Sequence, residues 1–140
     1  MRRLIALAVL SATVCATGAT AETWKPYTGV SDKGLQWSYD TDYSYRDAQS
    51  GRVVVMQAIG KVGAVPRMGP SAPGAADGVG QVMGVDCEVR GVVLIGSYSP
   101  SKPLALSESW RNAPAKRADG ADDKALVAAV CAIASQLPSK

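Results

Sequence analysis

The 140-residue chain reads as an α+β domain, with an antiparallel sheet of about five to six strands and one C-terminal helix packed on one face. Three observations carry that reading. Leu35, Trp37 and Tyr39 alternate with Gln36, Ser38 and Asp40, the period of a half-buried strand. Arg52 to Val62 (RVVVMQAIGKV) is a β-branched run that suits a central strand. The last segment carries Leu126, Val130, Ile133 and Leu137 on one helical stripe, beside a cysteine that has a counterpart in a strand.

The first residues are basic, then apolar. Arg2 and Arg3 precede the run Leu4 to Val14, and Ala19-Thr20-Ala21 gives a small-x-small cleavage pattern. Residues 1–21 are therefore expected to be a signal peptide cut between Ala21 and Glu22, leaving 22–140 as a single domain. A membrane-spanning helix needs roughly 20 apolar residues, and neither this run nor any later one reaches that. The expected location is periplasmic or secreted. Cys15 offers a rival, as the lipidated cysteine of an outer-membrane lipoprotein. It is less favoured because Val14 stands where Gly, Ala or Ser is expected. Without the signal the chain has 13 basic against 12 acidic side chains, a net charge of +1. The signs are interspersed, so there is no basic stripe of the kind nucleic acid requires.

After Trp24-Lys25-Pro26-Tyr27, Thr28 to Gly34 is turn-like. The strand 35–39 follows, then a short Asp40-Thr41-Asp42 loop, Tyr43 and Tyr45 on its far side, and a turn over Asp47 to Gly51. Beyond the central strand, residues 63–80 are rich in Pro and Gly. They read as a long loop, either a disordered insertion or a partner-binding segment. Gln81 to Arg90 and Val92 to Tyr98 then form two strands in a hairpin around Gly91. Pro100 and Pro103 end the sheet pattern. Lys116 to Gly120 is loop, and Asp122 to Leu137 is the helix, with Asp119, Asp122 and Asp123 capping its start and Pro138 stopping it.

Histidine is absent from the whole chain, which removes the usual base for a cysteine or serine nucleophile. Two thiols also fall short of the roughly four ligands of a structural zinc site. Neither a cofactor nor a metal is expected. In an exported chain Cys87 and Cys131 read instead as a disulfide that staples the helix to the sheet. Other motifs are weaker. Ser99-Pro100-Ser101-Lys102 matches S-x-x-K but lies in a proline-flanked turn, where that chemistry needs a helix start. Asp40-x-Asp42-x-Ser44 has Tyr45 where a calcium loop needs glycine. Arg46, Arg52, Lys61 and Arg90 read as solvated strand positions. The aromatic residues Trp37, Tyr39, Tyr43, Tyr45, Tyr98 and Trp110 suit cross-strand packing or an exposed contact face. Trp110, Arg111, Tyr98, Tyr43 and Tyr45 are the candidate partner contacts, since Tyr, Trp and Arg dominate interface hot spots.

The order WSYDTDYSYRD, RVVVMQAIGK, VDCEVR, ESWRNAP and LVAAVCA, over about Trp24 to Ala132, resembles the surface-adhesin protein E family of bacterial exported domains. That resemblance implies an antiparallel sheet with a C-terminal helix tied by a Cys87–Cys131 disulfide, and makes Trp110 the family tryptophan between the two cysteines. The founding adhesins bind host matrix proteins and can dimerise, so a homodimer is one implied assembly. The chain departs from the family in its Pro/Gly loop at 63–80 and in lacking a good lipidation site. The expected function is a non-enzymatic exported domain binding a protein or cell-envelope component. The alternative is a small periplasmic inhibitor of a lysozyme-like hydrolase, presenting Ser99 to Lys102 to an enzyme cleft. A hydrolase would instead need Asp40, Asp42 or Asp47 opposite Glu108 across a pocket.

Overall fold

The structure, a computed structural model, describes residues 23–63, 80–99 and 102–140. The expected signal peptide (residues 1–21) with its Ala21–Glu22 junction, Cys15 and nearly all of the 63–80 loop lie outside the described residues.

Ten elements follow in chain order: β1 (Trp24–Pro26), β2 (Leu35–Asp40), β3 (Tyr45–Arg46), β4 (Val53–Lys61), β5 (Gly80–Asp86), β6 (Gly91–Ser99), β7 (Lys102–Leu106), β8 (Lys116–Arg117), α1 (Ala121–Cys131) and a 3₁₀ turn (Ala134–Gln136). The strands form one antiparallel sheet in the order β1-β2-β4-β5-β6-β7, with β3 also on β4 and β8 also on β6. The sheet thus has eight strands, not five to six. The difference comes from interrupted edges. β2 pairs with Gln57–Lys61 and β3 takes over at Val53–Val54. Likewise β7 pairs with Gly96–Ser99 and β8 with Gly91–Val92. Two-residue strands have too few side chains to show a period, so sequence patterning passes over them.

Three boundaries differ from expectation for identifiable reasons. β5 ends at Asp86, whose Oδ1 accepts the backbone N–H groups of Glu88 (3.1 Å) and Val89 (3.2 Å). This Asx turn bends the chain five residues before Gly91, so Cys87 sits in a turn, not in a strand. Pro103 lies within β7 instead of ending the sheet, because β7 is last in the strand order and a terminal strand tolerates the missing donor. The helix stops at Cys131, not Leu137. Leu126, Val127 and Val130 are buried, while Ile133 falls past the helix end and Leu137 reaches the core from beyond the 3₁₀ turn. The N-cap is Gly120 with no side-chain cap bond; Asp122 and Asp123 occupy the first turn, where they complement the dipole.

Both faces of the central strands are buried. On the helix side Val53, Val55, Met83, Val85 and Val92 pack against Leu126, Val127 and Val130. On the other side Val54, Met56, Val82, Val93 and Ile95 pack against Trp110. That explains the unbroken apolar run in β4: neighbouring side chains point to opposite faces, and here each face has a cover. The second cover is the irregular segment around Trp110, aided by Trp24, Tyr43, Tyr45, Ala113 and Ala115. Cys87 and Cys131 are bonded, 44 residues apart in sequence, with Cα atoms 5.6 Å apart. The end of the chain then lies beside β3. Arg46 N–H donates to the Pro138 carbonyl (2.8 Å), and Lys140 N–H donates to the Arg46 carbonyl (3.0 Å).

Candidate functional site

Four of the five candidate contact residues, Tyr43, Tyr45, Trp110 and Arg111, meet on the face away from the helix, and Arg52 fixes the segment that brings them there. Its Nη1 donates to the Trp110 carbonyl (2.9 Å), its Nη2 donates to the Ala113 carbonyl (2.8 Å), and its Nε lies 3.5 Å from Asp86 Oδ2. Arg52 is therefore an anchor, not a solvated strand position. An arginine directly before a strand whose first six residues are buried has to place its donors somewhere, and that position was the available signal. Arg46, Lys61 and Arg90 are exposed as expected, but Arg90 lies in the β5–β6 turn and not in a strand.

Lashed down in this way, Trp110 is only 6% exposed. It packs over Gly84, where an added Cβ would stand 3.4 Å from the indole. Its expected role as an exposed contact is thus corrected: the ring is core, because Gly84 and the Arg52 fork draw the loop onto the sheet. Arg111 is the part of the pair that reaches solvent. Its Nε and Nη2 donate to Asp47 Oδ1 at 3.0 and 2.9 Å, and Nε is also 3.1 Å from Oδ2. The guanidinium lies 4.8 Å from the Trp110 ring centre, a cation–π distance. Tyr43 and Tyr45 are half-buried, with ring centres 6.2 Å apart, and Lys140 Nζ lies 4.9 Å from the Tyr45 ring. Burial raises both phenols; Tyr45 is raised further by Asp47 and lowered by Arg111. The structure thus joins Tyr43, Tyr45, Trp110 and Arg111 and adds Lys140, which no sequence spacing connected to them. Tyr98 is in β6, with its Cα opposite Gly80; its side chain lies outside the described part.

The carboxylates proposed for a hydrolase are engaged locally. Asp40 Oδ1 accepts from the N–H groups of Thr23 and Asp42, and Asp42 Oδ2 accepts from the Thr23 hydroxyl. Glu108 is exposed. Among the described residues, no group of three or more Asp, Glu, His or Cys could hold a metal. Pro100 and Ser101, at the tip of the S-x-x-K segment, lie outside the described residues.

Asp47 gives a pH prediction. It is 2% exposed and accepts from Arg111 and from the amide (2.8 Å) and hydroxyl (2.7 Å) of Ser50. The Arg111 bond, opposed by burial and helped by Ser50, pulls its pKa from 3.8 down to about 2. The folded carboxyl therefore holds a proton less tightly than the unfolded one. Its stabilisation is full above pH 3.8 and disappears as the pH falls to about 2. Discounted for the 38% exposure of the Arg111 side chain, the effect is on the order of 1–2 kcal/mol. Acid titration of unfolding free energy should show this loss in the wild type and a shallower one in Asp47→Asn. Parallel curves would disprove the assignment.

Among the described residues, two further concavities lie away from this cluster. A cleft of about 290 Å³ at the helix start is lined by Tyr27, Trp37, Gln57, Gln81, Asp122 and Asp123 among others. Tyr27 Oη donates to Gln57 Oε1 (2.7 Å), and Gln57 Nε2 donates to Gln81 Oε1 (2.8 Å). Burial, then Asp122 and Asp123, raise the Tyr27 pKa. A larger groove of about 620 Å³ runs between the β5–β6 turn, β8 and α1.

Comparison of the chain with protein-family models, with curated proteins and with solved structures finds no match.

Proposed function

We propose that the protein is an exported, non-enzymatic domain that binds a protein or cell-envelope component, as its resemblance to the surface-adhesin protein E family implies. The observation that carries this is the solvent-facing cluster of Tyr43, Tyr45, Arg111 and Lys140, built on buried Trp110 and Asp47. Tyrosine and arginine are the residue types that concentrate binding energy. These are held in place before any partner arrives: two donors fix the guanidinium on Asp47, and the half-buried rings have little rotational freedom left to lose. Such preorganisation reduces the entropic cost of association. A disulfide suits an oxidising compartment, and no helix among the described residues is long and apolar enough to cross a membrane. The carboxylates near the cluster support binding over acid–base chemistry, because Asp47 is saturated with donors and held ionised.

The test is capture from the native envelope by the mature chain, set against a Tyr43→Ala/Lys140→Ala variant. Both substitutions spare the Asp47–Arg111 pair, so the fold should survive, as thermal unfolding will report. Loss of two contact residues should weaken capture of the same partner roughly tenfold or more. Equal capture by a normally folded variant would remove this face from consideration. Inhibition of a lysozyme-like hydrolase that the variant retains would favour the inhibitor reading.

A further inference from the structure

The larger groove carries an inference independent of the aromatic face, since its floor belongs to the helix side of the sheet. Val127, buried beneath the helix, lies at its base. Three cations from three elements converge on its walls: Arg90 from the β5–β6 turn, Arg117 from β8 and Lys124 from α1. Glu88 and Asp119 line the same space. Neither carboxylate is within ion-pair distance of any of the three; the ion pairs of the described residues are Arg52–Asp86 and Arg111–Asp47. The groove lining therefore carries three cations against two carboxylates, a net charge of +1, with none of the five in a close ion pair.

The backbone around these side chains is fixed at several points. The Cys87–Cys131 bond ties the turn to the end of α1. The Asp86 carboxylate holds the Glu88 and Val89 amides. Ala118 N–H donates to the Arg90 carbonyl at 3.1 Å. β8 can approach β6 because residue 91 is glycine: a Cβ there would stand 2.9 Å from the Lys116 carbonyl oxygen. Arg90 itself is held at a φ of 52°, a left-handed conformation that an L side chain adopts at a cost. The lining has one more cation than it has carboxylates, and none of its three cations is held by a protein anion. A bound anion would supply that missing partner.

We propose that this groove binds a compact, multiply charged anion of the phosphate or polycarboxylate class. Two guanidinium forks match the paired oxygens of either group, and the ammonium adds a third charge. Glu88 and Asp119 disfavour a long polyanion, which would have to run past them, and a nucleic acid would require an extended basic track.

The test uses the mature chain with its disulfide intact. Amide chemical shifts are followed during titration with inorganic pyrophosphate, with citrate and with glucose as a neutral control. Saturable shifts confined to the β5–β6 turn, β8 and the first turns of α1 are expected, weakening as salt is raised. A response to pyrophosphate alone identifies the phosphate class, and a response to citrate alone identifies the polycarboxylate class. Arg117→Gln and Lys124→Gln should each weaken binding roughly tenfold. Arg90→Gly is the decisive variant. It should weaken the anion to the same degree while leaving the melting temperature unchanged or higher, because glycine accepts the left-handed backbone. Absence of saturable shifts in the groove with both anions, or equal binding by all three variants, would overturn the proposal.

Discussion

Replacing Trp110 with alanine is expected to destabilise the domain by about 3–5 kcal/mol, the usual range for removing a large buried aromatic side chain. The indole packs on the face of the sheet away from the helix, over Gly84 and against Ile95. Its truncation leaves a cavity that Gly84, having no side chain, cannot help to fill. Arg52 would keep its carbonyl acceptors, so the loop would stay tethered above an empty site. A domain of this size has a total stability of about 5–15 kcal/mol, and the variant should unfold at much lower urea. Trp110→Phe should recover a good part of the loss. A change below about 1 kcal/mol in urea titration would mean that the ring is not the cover described here. The variant is for the same reason a poor probe of binding, since it removes the support of Arg111 along with the ring.

Opening the disulfide should cost about 2–4 kcal/mol. The bond joins residues 44 apart, and the open chain gains the freedom of that loop when it unfolds. The paired variant Cys87→Ser/Cys131→Ser should melt lower than wild type by on the order of 10 °C. Reductant should bring the wild type to the same midpoint and leave the variant unaffected. Hydrogen exchange should quicken in the last turn of α1 and at the amides of Arg46 and Ala48, which donate to Pro138 and Lys140, because the C-terminal residues follow the helix. If reductant leaves the midpoint in place, Leu126, Val127 and Val130 hold the helix by themselves.

Local pattern carried the main strands, the helix and the cysteine pair. Alternation at Leu35, Trp37 and Tyr39, the valine run of β4 and the spacing of Leu126 and Val130 each arise within a few residues, where sequence periodicity has force. β3 and β8 are too short to have a period, and their pairing on β4 and β6 is a long-range event. The turn at Asp86 was misread because Cys87 continues an apolar-looking strand; an aspartate carboxylate capturing two amides ended it. The candidate site was half legible. Residue type singled out Tyr43, Tyr45, Trp110 and Arg111, and the fold brought them together. Residue type could not show that Trp110 faces inward, because the polar residues around it, Ser107 to Asn112, describe an exposed loop with one inward-turned ring. Nor could it find Lys140 over Tyr45, or the convergence of Arg90, Arg117 and Lys124, which depends on the disulfide and on the close approach that Gly91 permits.

The two-sided burial of β4 also sets a hazard. VVVMQA is a six-residue segment of mostly β-branched and apolar side chains with no charge and no proline, the composition that stacks into cross-β fibrils when it is bare. In the native sheet β2, β3 and β5 occupy its edges, and the helix and the Trp110 loop occupy its faces. Each cover comes from a different part of the chain, so no single stretch of polypeptide can shield the segment while the rest is incomplete. A reduced chain whose helix detaches would uncover one face of a hexapeptide of this composition. The disulfide thus acts on colloidal fate as well as on folding equilibrium, by keeping that face closed through the transient openings of the native state.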